Sequence, residues 1–200
     1  MKRLILLMIT CYCLLPGHAN TDIASDSLLQ VLQTLPHDTT RLSTLNDIIK
    51  IEQNNYKCIQ YSDTLMQEAL KLKNDKYASL AAYYHLLYYY NRSEQDSVAK
   101  WIVRMEPYVQ RSGLWDYFFD AQRFQIDLYT FTEQYELAIS EANKMKQKAL
   151  NTNSNRGTVA AYQCLSNAYI GSQRWNEGLK ALEEAYRLLP KKGNAVVHIS

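Results

Sequence analysis

"AYQCLSNAYIGSQRWNEGLKALEEAYRLLP", residues 161–190, is the stretch on which the reading of this chain turns. From Val159 onward, Ala161, Leu165, Ala168 and Ile170 recur at helical spacing with Tyr162 and Tyr169, until Gly171 and Ser172 break the run. A second amphipathic run opens near Arg174, carries Leu179, Leu182, Ala185, Tyr186 and Leu189, and stops at Pro190. Two helices joined by a few residues cannot bury their apolar faces alone. They need copies of themselves to stack on, so the rest of the chain has to supply those copies.

Copies are present, with weaker signatures. Forty residues before Tyr169 stands Tyr129, followed by "FTEQYELAISEANKM", with Ala138 and Ala142 at small positions and Gln125 where a leucine is expected. Forty further back lies Tyr89, in "YASLAAYYHLLYYYNRSEQDSVAKWIVRM", with Val98 after it; Tyr90 and Ala99 fit that register equally well. The first copy, "RLSTLNDIIKIEQNNYKCIQYSDTLMQEALKLKND", keeps the helical pattern and little else. "NTNSNRG" reads as a lengthened loop, and Gly113, Gly157 and Gly193 fall between helix pairs, where a residue with positive φ is useful. Pro107 is expected to kink its helix or end it early. The division is a helical segment over residues 20–38 and an array over 39–192, in pairs at about 39–74, 76–112, 114–152 and 156–190. Residues 193–200 open a further repeat or a tail, and that ending implies that the array continues in a longer parent protein.

Residues 1–19 have another character. "MKRLILLMITCYCLLPGHA" has a basic start at Lys2 and Arg3, an apolar run from Leu4 to Leu15, a break at Pro16, and small residues at Gly17 and Ala19. That is the pattern of a secretory signal peptide cut after Ala19, and the apolar run is too short for the roughly 20 residues that span a bilayer. The 22 basic and 20 acidic residues of the whole chain give a net charge of +2. The signal holds two of the basic residues and no acidic one, so 20 of each remain after cleavage. No basic face is left over for nucleic acid. Cys58 and Cys164, the cysteines outside the signal, read as small buried apolar residues, and the widely spaced His37, His85 and His198 make no metal site with them.

The spacing over 159–190 resembles the tetratricopeptide repeat, a 34-residue helix–turn–helix. With Val159 as the first position, Tyr162, Leu165, Ser166, Tyr169, Gly178, Leu182, Ala185 and Pro190 meet its signature of large, small and turn residues, with Gly178 in place of the usual alanine. The resemblance implies an all-α, right-handed solenoid in which Ser166 and Gly178 let paired helices approach and the large residues fill the gaps between pairs. It also implies a partner-binding groove on the first helix of each pair. That places Arg123 and Asp127 of the third pair and Gln163 and Asn167 of the fourth in the groove, with Tyr83 and Tyr90 of the second as further candidates. A wider resemblance lies in "DSLLQVLQTLPHDTTRLSTLNDII" after a signal peptide, followed by degenerate repeats at about forty residues. This layout is similar to the extracytoplasmic region of membrane-bound sensor histidine kinases of Gram-negative bacteria. There the repeats precede a transmembrane helix and a cytoplasmic kinase.

Catalysis has no motif to stand on: the sequence holds no GxSxG, HExxH, GxGxxG or phosphate loop. Acidic pairs such as Asp120 with Asp127 and Glu183 with Glu184 read as solvated helix faces. Sixteen tyrosines are the outlier of the composition, and "YYHLLYYYN" at 83–91 makes one helix apolar nearly all round, as in a helix held between neighbours. The expectation is thus an exported interaction or sensing module with no cofactor and no chemistry of its own, whose partner is a protein or peptide. It would meet a membrane only through a parent protein, and its uncapped last pair would allow self-association. The competing expectation is a free-standing periplasmic scaffold in envelope assembly or polysaccharide uptake.

Overall fold

The computed structural model of the protein describes residues 17–52 and 56–189, and among these it is all-α. Helix α1 spans Gly17–Thr34, α2 Thr39–Ile51, α3 Lys57–Lys71, α4 Asp75–Tyr90 and α5 Gln95–Ser112. Helix α6 spans Trp115–Phe131, α7 Tyr135–Asn151, α8 Asn155–Gly171 and α9 Trp175–Leu188. Most of the expected signal segment and Pro190 lie outside the described residues.

The turns have a strict period. Lys73, Ser93, Gly113, Glu133, Asn153 and Gln173 all have positive φ, and they stand twenty residues apart. The helices that follow open at the same interval, at Asp75, Gln95, Trp115, Tyr135, Asn155 and Trp175. At the turns around Lys73, Glu133, Asn153 and Gln173 the hydrogen bonds are alike: Asn74 N donates to Ala69 O, Gln134 N to Tyr129 O, Ser154 N to Ala149 O and Arg174 N to Tyr169 O, at 2.8–2.9 Å. With the bond from each positive-φ residue to the carbonyl three residues earlier, at 3.0–3.1 Å, this is the Schellman closure. Glu94 N donates to Tyr89 O in the same way. Tyr89, Tyr129 and Tyr169 are therefore equivalent, which settles the register of the second pair. Cys58, Val98, Ala138 and Gly178 are likewise forty residues apart, and all four are buried. At Gly178 the helix is held close to the one before it, since a Cβ there would lie 3.2 Å from Ser166 O.

Among the described residues every helix touches only its neighbours and next-neighbours in chain order. The next-neighbour contacts join α2 to α4, α4 to α6 and α6 to α8, so the even-numbered helices form one row. Helices α3, α5, α7 and α9 lie against that row; their backbones do not pack on each other, although Lys148 of α7 reaches Glu106 of α5 in an ion pair. Helix α4 has the most crowded place. All ten residues from Tyr77 to Leu86 are buried, because α2, α3, α5 and α6 surround them. Tyr84 reaches from there to donate a 3.0 Å hydrogen bond to Asn46 of α2, which satisfies both buried polar groups.

Several expectations change. Helix α5 runs through Pro107 to Gly113; the proline sits on the exposed side, below an exposed Val103, where an unpaired carbonyl can meet water. "NTNSNRG" is mostly helix: only residues 152–154 form the turn, Ser154 caps α8 by accepting from Gly157 N, and the extra residues lengthen α7 and α8 to 17 residues each. Gly157 thus lies inside α8, where it is needed for closeness: a Cβ there would stand 2.7 Å from Cγ of the buried Phe119. Leu182 is 49% exposed, since nothing among the described residues covers that side of α9.

Candidate binding face on the even-numbered helices

The face formed by α4, α6 and α8 carries one charged row, on α6, flanked by side chains of the other two helices. On α6, Asp116, Asp120, Arg123 and Asp127 follow one another at steps of four, three and four residues, which keeps them on one side of the helix. Arg156 of α8 reaches across, 3.0 Å from Asp120 Oδ2 and 3.8 Å from Asp116 Oδ2. Arg123 stands 3.8 Å from Asp120 Oδ1 and 3.5 Å from Asp127 Oδ2, with its guanidinium 4.7 Å from the centre of the Phe124 ring. These partly exposed pairs contribute little stability each, but they hold charged groups in a fixed array between two helices.

Aromatic rings join α4 to α6 beneath and beside this array. Tyr83 meets Tyr117 edge-on at 5.0 Å, and Tyr90 lies 4.5 Å from Phe124. Tyr83 is buried, so it offers the face no more than its hydroxyl. Burial, with Asp120 nearby, pushes that hydroxyl up to about 12. Tyr90 is half-buried and shifted the same way, by burial first and by Asp127 second. The Asp127 carboxyl is pushed above the usual aspartate range by burial, which Arg123 offsets in part.

Two depressions open on the face. One, of about 400 Å³, is lined by Asp120, Arg123, Arg156, Val159, Gln163 and Leu188, among others. The other, of about 350 Å³, is lined by Tyr90, Ser93, Asp127, Leu128 and Phe131. Of the six groove candidates, Arg123 and Gln163 therefore share the first depression and Tyr90 and Asp127 the second, and the Arg123–Asp127 pair links the two. Tyr83 lies below the surface. Asn167 is exposed on α8 and lines neither depression. Sequence reasoning passed over Arg156, Leu128 and Phe131. Phe131 is the last residue of α6, as Tyr90 is of α4, but the forty-residue step from Tyr90 falls on Thr130, so the repeat did not point to it.

The signature residues are placed as follows. Leu165, Ser166, Gly178 and Ala185 are buried and Tyr162 and Tyr169 half-buried, while a Cβ on Gly178 would lie 3.2 Å from Ser166 O. Gln125, which departs from the pattern, donates a 2.8 Å hydrogen bond to the Tyr129 hydroxyl.

A second polar cluster lies on the opposite flank of α4. The buried His85 ring stacks on Trp101 at 4.0 Å, and Arg104 stands 4.3 Å from the Trp101 ring centre. Nε2 of His85 is 3.1 Å from Asp63 Oδ1. Burial lowers the imidazole pKa, against the pull of Asp63. Cys58 and Cys164 are free and buried, and burial pushes the Cys164 thiol up to about 12. Among the described residues no group of His, Cys, Asp and Glu is arranged to hold a metal ion, and no helix is long and apolar enough to cross a membrane.

Comparison with protein-family models, with curated proteins and with solved structures gives no match for this chain.

Proposed function

We propose that this chain is a non-catalytic binding module of an exported protein, a right-handed solenoid akin to tetratricopeptide repeats that holds a protein or peptide on the face of α4, α6 and α8. The observation that carries this reading is the ladder of Asp116, Asp120, Arg123, Asp127 and Arg156 beside two neighbouring depressions. Fixed charges, exposed amides and aromatic edges over two helices suit an extended chain, whose backbone and side chains need polar partners at intervals. The forty-residue step is longer than the 34 residues of the consensus repeat, and the surplus lies in longer helices. Export rests on the character of residues 1–19. A place in the sensing half of a signal-transducing histidine kinase rests on the sequence layout.

The reading is tested by photo-crosslinking in the source cells, with benzoylphenylalanine at Gln163 on the face or at Val103 on the exposed side of α5. A discrete adduct from position 163 and none from 103 is expected. Equal adducts from both positions, or none from either, would overturn the binding face. Fractionation and blotting of the same cells tests the setting: a large inner-membrane species supports a sensor, and a soluble periplasmic species slightly below 23.2 kDa supports a free-standing scaffold.

A further inference from the structure

We propose that the depression between the C-terminal ends of α4 and α6 is a pocket for one cationic side chain, lysine or arginine, of the bound partner. This rests on the reading of the face as a peptide-binding surface and names what one of its subsites selects.

Charge is the first ground. The array holds three carboxylates, Asp116, Asp120 and Asp127, against two guanidiniums, Arg123 and Arg156. Arg156 is occupied with Asp116 and Asp120, and Arg123 is shared between Asp120 and Asp127. Negative charge is left over at both ends: Asp116 stands 3.8 Å from its guanidinium and is open to solvent, whereas Asp127 is the end carboxylate that lines a depression. Among the described residues no hydrogen bond reaches the Asp127 carboxylate, and its cationic partner stands no closer than 3.5 Å. The adjoining turn adds Glu94 and Asp96, which line a neighbouring depression with Ser93. Arg92, the nearest cation on that turn, is drawn away onto the Tyr88 ring at 3.4 Å and to the Tyr88 carbonyl.

The walls supply the second ground. Beside Asp127 stand Leu128, Tyr90 and Phe131, and Phe131 is 83% exposed at the last residue of α6. A lysine or arginine has an apolar stem and a charged head. The stem can lie along Leu128 and Phe131 while the head meets the carboxylate and an aromatic ring. A volume of about 350 Å³ is at the small end of ligand sites, enough for one long side chain. A divalent metal ion fits poorly, because it needs about six oxygen ligands and one carboxylate is at hand. An anion would face Asp127 directly.

The test uses pools of randomised hexapeptides with one position fixed as lysine, arginine, norleucine or glutamate, binding to the purified protein. The lysine and arginine pools should bind about ten times more tightly than the norleucine pool, in line with a charge-assisted hydrogen bond. Asp127→Asn should abolish that preference while the melting curve shows a folded protein. Gln163→Ala, in the other depression, should weaken all pools alike and leave the preference in place. Pools that bind without regard to the fixed residue would sink the cation pocket and leave the binding face standing. Binding by no pool would remove both.

Discussion

Asp127 and His85 are ionisable residues that the fold shifts in opposite senses, and each makes a pH prediction. The Asp127 carboxyl titrates higher in the folded chain because burial outweighs the help of Arg123. Its contribution to stability is therefore fully favourable below the ordinary aspartate value of about 3.9 and is lost as pH rises through the folded value. At pH 7 the ionised group weakens the fold. Asp127→Asn should raise the melting temperature at pH 7 and change it little at pH 3, and calorimetry at the two pH values reads the difference. A substitution that steadies the fold and removes cation binding would mark Asp127 as a residue kept for what it binds. His85 behaves in the reverse way. Burial, the largest influence, holds it neutral, Asp63 pulls toward the charged form, and Arg104 across Trp101 opposes it. As pH falls below about 6.5 the unfolded chain takes up a proton before the folded one does, so stability drops. Urea unfolding at pH 8 and pH 5.5 should show that loss, and His85→Phe, which keeps a ring on Trp101, should reduce it.

At the scale of elements, the twenty-residue rhythm is written in backbone conformation. Five of the six positive-φ turn positions carry a side chain, at Lys73, Ser93, Glu133, Asn153 and Gln173, and one is Gly113. A side-chain-bearing residue pays about 1–2 kcal/mol in the left-handed region, and glycine returns about 0.5–1 of that through its freer unfolded state. Glu133→Gly should therefore stabilise by about 0.5 kcal/mol, whereas Gly113→Ala should destabilise by about 1 kcal/mol. Denaturant midpoints of the two variants, moving in opposite directions, would check the assignment. The non-glycine turns also explain why sequence reading misplaced Gly157. It took glycine as the sign of a turn, but most turns here use polar residues and Gly157 serves a close helix–ring approach.

Across the described helices, burial depends on whether another described helix packs on the same side. Leu165 of α8 is 3% exposed, while Leu182 of α9, an equally strong signature residue, is 49% exposed. Trp175, Leu179, Tyr186 and Leu189 share that exposed side of α9. Leu165→Ala should cost about 2–5 kcal/mol as a filled core site becomes a cavity. Leu182→Ala should cost less than about 1 kcal/mol, as surface changes do. Chemical denaturation of the two variants, measured side by side, tests whether Leu165 is a core residue of the row and Leu182 a surface one.

Local pattern was enough to establish that the chain is helical, because hydrophobic periodicity and the rarity of glycine and proline act over a few residues at a time. Tyr169, Leu165 and Ser166 could be read as helix-packing residues for that reason. Their forty-residue equivalents could be found wherever side chains repeat, as Tyr129 does. Tertiary structure decided what depends on neighbours distant in sequence. It placed Tyr83 under the surface and Tyr90 at it, although the two share one tyrosine-rich helix. It brought Arg156 of α8 onto Asp120 of α6 and set Phe131 beside Asp127 and Tyr90. Those juxtapositions arise from helices that meet side by side in the even-numbered row, and charge, burial and pocket shape follow from that meeting.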